Sequence, residues 1–220
     1  MKNLTLNLDK FTEKVAAKEN EKELYWALQS FAKRNVYASH YYEDFLLHSE
    51  EGKLSLAKFD CSGNLRNNFE ALIVAFIANA HAMIDSFPFV LYLALKPLSY
   101  LDSKGKENNI SEIDCGWTHN FLKSICNTYP CNTSLANLFQ ELIDDEDFKL
   151  LKKISNNNKH KFLARIKNDG KSLEFEMIDF KKNKITYVGV QEFLVRSHDH
   201  LIPKVINLYE EVAKTALGKS

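Results

Sequence analysis

Apolar residues recur at three- and four-residue spacings from Glu21 to about His48: Leu24, Ala27, Leu28, Phe31, Ala32, Ala38, Tyr42, Phe45 and Leu46. That period lays one face along an amphipathic helix, and it predicts a long one. Gly52 and Gly63 break it, and between them "KLSLAKF" alternates weakly, as a short strand or plain loop does. Asn64 or Asn67 is placed to cap the next helix. The run Ala71 to Leu95 is apolar nearly all round, the pattern of a central bundle helix, with Pro88 marking a kink or local loosening. Pro97 and "SKGKENN" close that helix and open a connection. Ser111, three residues before Asp114, is placed to start a helix through "GWTHNFLKSIC", and Asn132 or Thr133 to cap "SLANLFQELI".

"DDEDFKLLKKI" then sets four acids at a helix start and Lys152 and Lys153 near its end, which suits the helix dipole. Next comes Ile154 to Phe162, "ISNNNKHKF", whose asparagines tolerate left-handed backbone and predict a break between two helical pieces. Beyond it the period changes from 3.6 to 2. "FLARIKNDGKSLEFEMIDFKKNKITYVGV" carries turn residues at 168–170 and 181–184 between alternating apolar positions, a hairpin or three-stranded meander. Helical spacing returns in "VQEFLVRSHDHLIPKVINLYEEVAKTAL", with Pro203 as a kink or break. The fold class is mainly α: a helical bundle with a small antiparallel β-hairpin or meander inserted before the last helix. One domain over 1–220 is expected, with residues 1–20 a loosely attached N-terminal segment.

Composition narrows the function classes. Of 220 residues 45% are hydrophobic and 26% charged, the balance of a globular chain, and the formal net charge is zero. No global field advertises a nucleic acid or a membrane, so electrostatic arguments must be local. Cys61, Cys115, Cys126 and Cys131 form no C-x-x-C pair and no disulfide framework, and "MKNLTLNLDKF" has no secretory h-region, so the cytoplasm is the expected location. The 71–95 run is long enough to span a bilayer, but Asn79, His81, Asp85, Ser86 and Pro88 sit at its centre. A charge there costs about 2.5–3.5 kcal/mol, and no membrane partner is expected.

The chemistry-bearing residues fall into a few groups. A di-metal bundle needs Glu-x-x-His from two helices, which neither long helix supplies; no metal or cofactor is expected. His81 and Asp85, four apart, share one face of the most apolar helix, either as a general-base pair or as a buried pair that fixes register. Arg34 and His40 in "RNVYASH" lie about 120° apart on a straight helix and cannot meet one substrate without another element or subunit. Arg196 to His200, "RSHDH", is a small polar cluster on the last helix that reads as a solvated face, with catalysis as the alternative. From Lys149 to Lys184 eleven Lys or Arg stand against four Asp or Glu, an island of formal charge +7 able to contact phosphates. Its aromatics Phe162, Phe175, Phe180 and Tyr187 mostly follow strand alternation, as core residues do.

"FKLLKKISNNNKHKFL" has the form apolar-x-x-apolar-x-x-x-Asn-x-x-Lys-His-Lys, followed by a hairpin and a closing helix. With "HAMIDSFPFVLYLAL", where a His precedes an Asp in an apolar stretch, it resembles a branch of the prokaryotic HEPN superfamily, in layout over about residues 20 to 215. Members of that superfamily are helical domains that commonly dimerise. Many are metal-independent ribonucleases of toxin-antitoxin and phage-defence systems, and others bind nucleotides or have lost activity. The resemblance puts the family's catalytic His on His160 and its polar position near Asn157. Asn156, Asn157, Lys159, Lys161, His81 and Asp85 are then the binding residues. The family's arginine has no counterpart, since residues 150–156 hold Lys152 and Lys153 but no Arg. The resemblance therefore implies a homodimeric nucleotide- or RNA-associated module, noncatalytic or weakly active, with a cognate antitoxin or nucleotidyltransferase as partner. Its alternatives are a metal-independent ribonuclease using His160 and a structural protein-interaction module whose basic insert binds an acidic partner.

Overall fold

The computed structural model describes residues 21–50, 63–160, 165–169, 171–179 and 184–218. The apolar stripe beginning at Leu24 forms α1 (Glu21–Glu50), and the 71–95 run lies in α2 (Asn64–Leu95). The Asn67 N–H donates to the Gly63 carbonyl at 2.9 Å, so the cap expected at Asn64 or Asn67 falls on Gly63 instead. There φ is +72°, a conformation glycine adopts without steric cost. "KLSLAKF" and the N-terminal segment 1–20 lie outside the described residues.

After α2 the polar connection folds into a hairpin that the alternation did not predict, β1 (Ser99–Leu101) against β2 (Glu107–Asn109). Asp102 closes its turn, the carboxylate accepting from the Lys104 and Lys106 N–H groups. Ser111 does not open the next α-helix. It caps a single 3-10 turn, Glu112–Asp114, where both its N–H and its hydroxyl donate to Asp114. The helix α3 (His119–Thr128) begins later, capped by Thr118, whose Oγ1 accepts from the Phe121 N–H. Asn132 caps α4 (Thr133–Asp144) as expected, accepting from the Leu135 N–H at 3.0 Å.

Helix α5 (Glu146–His160) corrects the expected break at the asparagines, for it runs through Asn156–Asn158 without interruption. Each asparagine costs a helix a few tenths of a kcal/mol relative to alanine. Phe148, Leu151, Ile154 and Ser155 continue one buried stripe up to that point and outweigh the penalty. The meander follows as β3 (Arg165–Asn168), β4 (Leu173–Asp179) and β5 (Lys184–Gly189), antiparallel in that order. Leu173, Phe175 and Met177 face the core. Arg165↔Glu176↔Tyr187 form one outward row of the register. The last helical stretch is α6 (Val190–Arg196), a π-helical turn over Ser197–Leu201, and α7 (Ile202–Ala216). Pro203 has no N–H for the Asp199 carbonyl, and instead of breaking, the helix widens over the turn that precedes it.

Chain proximity divides the molecule into two compact units, each assembled from separated stretches. One holds residues through Lys33, Met83–Asp145 and Lys204 onward; its core includes Leu28, Phe31, Phe87, Phe121, Phe139 and Tyr209. The other holds Arg34–Ala82 and Glu146–Pro203, with Phe45, Ile73, Phe76, Leu151, Phe175 and Phe193 in its core. By length and composition α2 could cross a membrane, yet its positions Ile73, Phe76, Ile77, Met83, Ile84, Phe87 and Leu91 are all buried in protein.

Candidate functional site

The end of α5 carries the two motifs to one place. Lys159 Nζ lies 3.4 Å from His81 Nδ1, across 78 residues of sequence. His81 is 1% exposed, held on the buried face of α2, whereas Lys159 reaches it from an exposed position. An ammonium only donates, so in a hydrogen bond between the two the His81 Nδ1 is the acceptor. The sequence pattern expected a carboxylate in that role. Asp85 is exposed, so a buried His81–Asp85 pair is corrected: the described side chain that meets the ring at Nδ1 is the cation from α5. Asn156 is exposed and Asn157 half-buried on the last turns of α5. His160 ends the helix, with its side chain outside what is described, and Lys161 lies outside the described residues.

The basic island is partly neutralised by its own sheet. Arg165 pairs with Glu176 at 3.3 Å and Lys167 with Glu174 at 3.9 Å, both across β3 and β4. Lys149 pairs with Glu146 at the head of α5. Lys152, Lys153, Lys159, Lys171 and Lys184 are exposed. Among the island's aromatics Phe175 is core, edge-on to Phe193 at 5.8 Å. Tyr187 is not: it is 50% exposed on β5, with the Lys167 ammonium 5.2 Å from its ring centroid. Phe162 and Phe180 lie outside the described residues.

Arg34 and His40 do not converge. Arg34 Nη1 donates to the Ala82 carbonyl at 2.7 Å, and His40 is exposed beside Asp44 at 3.5 Å. The four acids expected at one helix start are instead shared out. Asp144 ends α4 and accepts from Gln140, Asp145 pairs with Lys204, Glu146 with Lys149, and Asp147 with Arg196. Among the described residues no group of three or more His, Cys, Asp or Glu side chains is placed to hold a metal ion. Cys115, Cys126 and Cys131 are free thiols.

A second polar cluster lies on the last helical stretch. "RSHDH" reads as a solvated face, but the π-helical turn carries Ser197 fully buried and leaves His198 only 11% exposed by side chain. His198 Nδ1 meets Asp199 Oδ1 at 2.6 Å and its Nε2 meets Ser39 Oγ at 3.3 Å. The ring stacks on Tyr42, 4.1 Å between centroids and 19° between planes. Burial first, then the charge and hydrogen bond of Asp199, pushes the Tyr42 phenol up from its ordinary value, so it stays a donor to that carboxylate. The one signal in the sequence was Pro203 inside a helical pattern directly after two histidines, a place where a helix must widen or kink. Set against protein-family models, curated proteins and solved structures, the chain matches none of them.

Proposed function

We propose that the protein is a HEPN-like nucleotide- or RNA-associated module, noncatalytic or weakly active toward RNA, acting as a homodimer in a bacterial defence or toxin-antitoxin system. The observation that carries this reading is the Lys159–His81 contact, in which the two stretches behind the resemblance meet side chain to side chain. Exposed Lys152, Lys153 and Lys159 follow α5 to its C-terminus and supply point charges for phosphates. Tyr187, half exposed beside Lys167, offers a ring on which a base stacks.

Metal-free RNA cleavage needs a base for the 2′-hydroxyl, an acid for the leaving oxygen and a cation on the developing phosphorane charge. Residues 150–156 bring no guanidinium, and Arg34 holds the Ala82 carbonyl through Nη1. Binding without efficient cutting follows. The test is titration of a short single-stranded RNA at several salt concentrations. Expected is a log–log salt slope of about −0.7 for each phosphate contacted; a flat response overturns the phosphate-driven reading. Rapid cleavage by the wild type, lost in His160→Ala, favours the ribonuclease reading instead.

A further inference from the structure

The cluster around the π-helical turn has the connectivity of an activated nucleophile, and it is independent of the RNA reading. We infer that Ser39 is a nucleophile, with His198 as its general base and Asp199 as the positioning residue, and that the site accepts an acyl group from an activated ester. Such chemistry needs a hydroxyl within hydrogen-bond reach of a base and the base held by a third group. Ser39 Oγ and His198 Nε2 are 3.3 Å apart, at the looser end expected before substrate binds, and His198 Nδ1 and Asp199 are at 2.6 Å. A carboxylate only accepts, so Nδ1 carries a proton, and in the neutral imidazole that general-base action requires, the Nε2 lone pair faces Ser39.

The local backbone is what permits this. Consecutive residues project about 100° apart on an α-helix, and the wider π turn closes that angle so that His198 and its neighbour Asp199 meet. π-Bulges of this kind occur frequently at functional sites. Tyr42, one turn of α1 beyond Ser39, stacks on the imidazole and fixes its plane. Ser39 is half-buried and the Asp199 side chain 48% exposed, so the cluster borders solvent.

In the step, Ser39 Oγ forms a bond to the ester carbonyl carbon while its proton passes to His198 Nε2. The tetrahedral intermediate collapses, the bond from carbon to the alcohol oxygen breaks, and His198 returns the proton to the departing alcohol. Ser39 is left as its ester and the imidazole is neutral again; water repeats the sequence and releases the carboxylic acid.

A fluorophosphonate probe tests this with the full chain, because loss of fluoride leaves a stable phosphonyl adduct that mass spectrometry assigns to a residue. Expected is an adduct on Ser39 in the wild type, none at that site in Ser39→Ala, and labelling slowed about 100-fold or more in His198→Ala and His198→Gln. Free imidazole added to His198→Ala should restore part of the rate. Asp199→Asn should slow labelling, with Asp199→Glu regaining part of the loss. His198→Gln keeps a hydrogen-bonding side chain beneath Tyr42 and guards against a failed fold. Absence of a Ser39 adduct in the wild type, labelling of His198→Gln at the wild-type rate, or equal labelling of the urea-unfolded chain overturns the assignment.

Discussion

Pro88 sits inside α2 without ending it, and the reason is testable to within a kcal/mol. In a regular helix residue 88 would donate its N–H to the carbonyl of Ile84, and proline has none. Ile84 is 0% exposed and Pro88 is buried, so water cannot take the donor's place. Trp117 does: its indole Nε1–H donates to the Ile84 carbonyl at 2.9 Å. Trp117→Phe keeps an aromatic ring stacked near Phe139, now 4.7 Å away, but removes that donor. Leaving a buried carbonyl unpaired costs about 1–3 kcal/mol, so the substitution should cost about 2 kcal/mol. Pro88→Ala supplies the missing N–H from within the helix. The Trp117→Phe cost should therefore shrink by about 1 kcal/mol or more in the Pro88→Ala background, a coupling measured by a double-mutant cycle. Urea denaturation followed by circular dichroism gives all four stabilities. Equal cost of Trp117→Phe in both backgrounds would refute the assignment of the indole as the proline's replacement donor.

Four further outcomes follow from the same structure. Lys159→Met should lower stability by about 1 kcal/mol through loss of the donor to His81, and reduce the RNA salt slope by about 0.7, whereas Lys153→Met should change only the slope. Asn132→Ala should cost about 2 kcal/mol in denaturant, since its side chain caps α4 and also donates to Thr215 Oγ1 at 2.6 Å. Burial pushes the Tyr209 phenol from 10.0 up to about 12. Between those values the unfolded chain has lost a proton that the folded chain keeps, so stability should fall with rising pH by about 2 kcal/mol, and Tyr209→Phe should flatten that limb. Iodoacetamide at pH 8 should modify exposed Cys126 and Cys131 and spare Cys115, whose thiol is pushed up to about 12 by burial first and then by Asp114 and Glu112; peptide mapping reads the result.

What was legible in the chain depended on whether a residue's role is set by its neighbours in sequence or by a distant partner. The stripe from Leu24 to Leu46, the Asn132 cap and the alternation of Leu173, Phe175 and Met177 are local patterns, and the structure carries each as read. The asparagine run misled because propensity is a small local term. At 154 and 155 it met a buried face already committed by Phe148 and Leu151, and tertiary burial outweighed it. Tyr187 misled in the opposite direction: alternation assigns it a face of β5, but whether that face is covered depends on what packs there, and it stands 50% exposed.

The two polar clusters show the same division at the level of chemistry. His81 was identifiable as a residue of interest because an imidazole in an apolar helix must be satisfied. Its partner could not be chosen from spacing, because the i+4 carboxylate and a lysine 78 residues away both satisfy it, and only the packing of α5 decides for Lys159. In "RSHDH" the polar letters themselves suggested solvent. Pro203 changes the helix geometry there, and Ser197 is buried and His198 mostly so, while Asp199 and His200 stay exposed as a solvated face has them. A proline within a helical pattern beside histidines therefore marks a place where polar letters are a poor guide to solvent. Here the widened turn carries His198 against Ser39 and Tyr42 of α1.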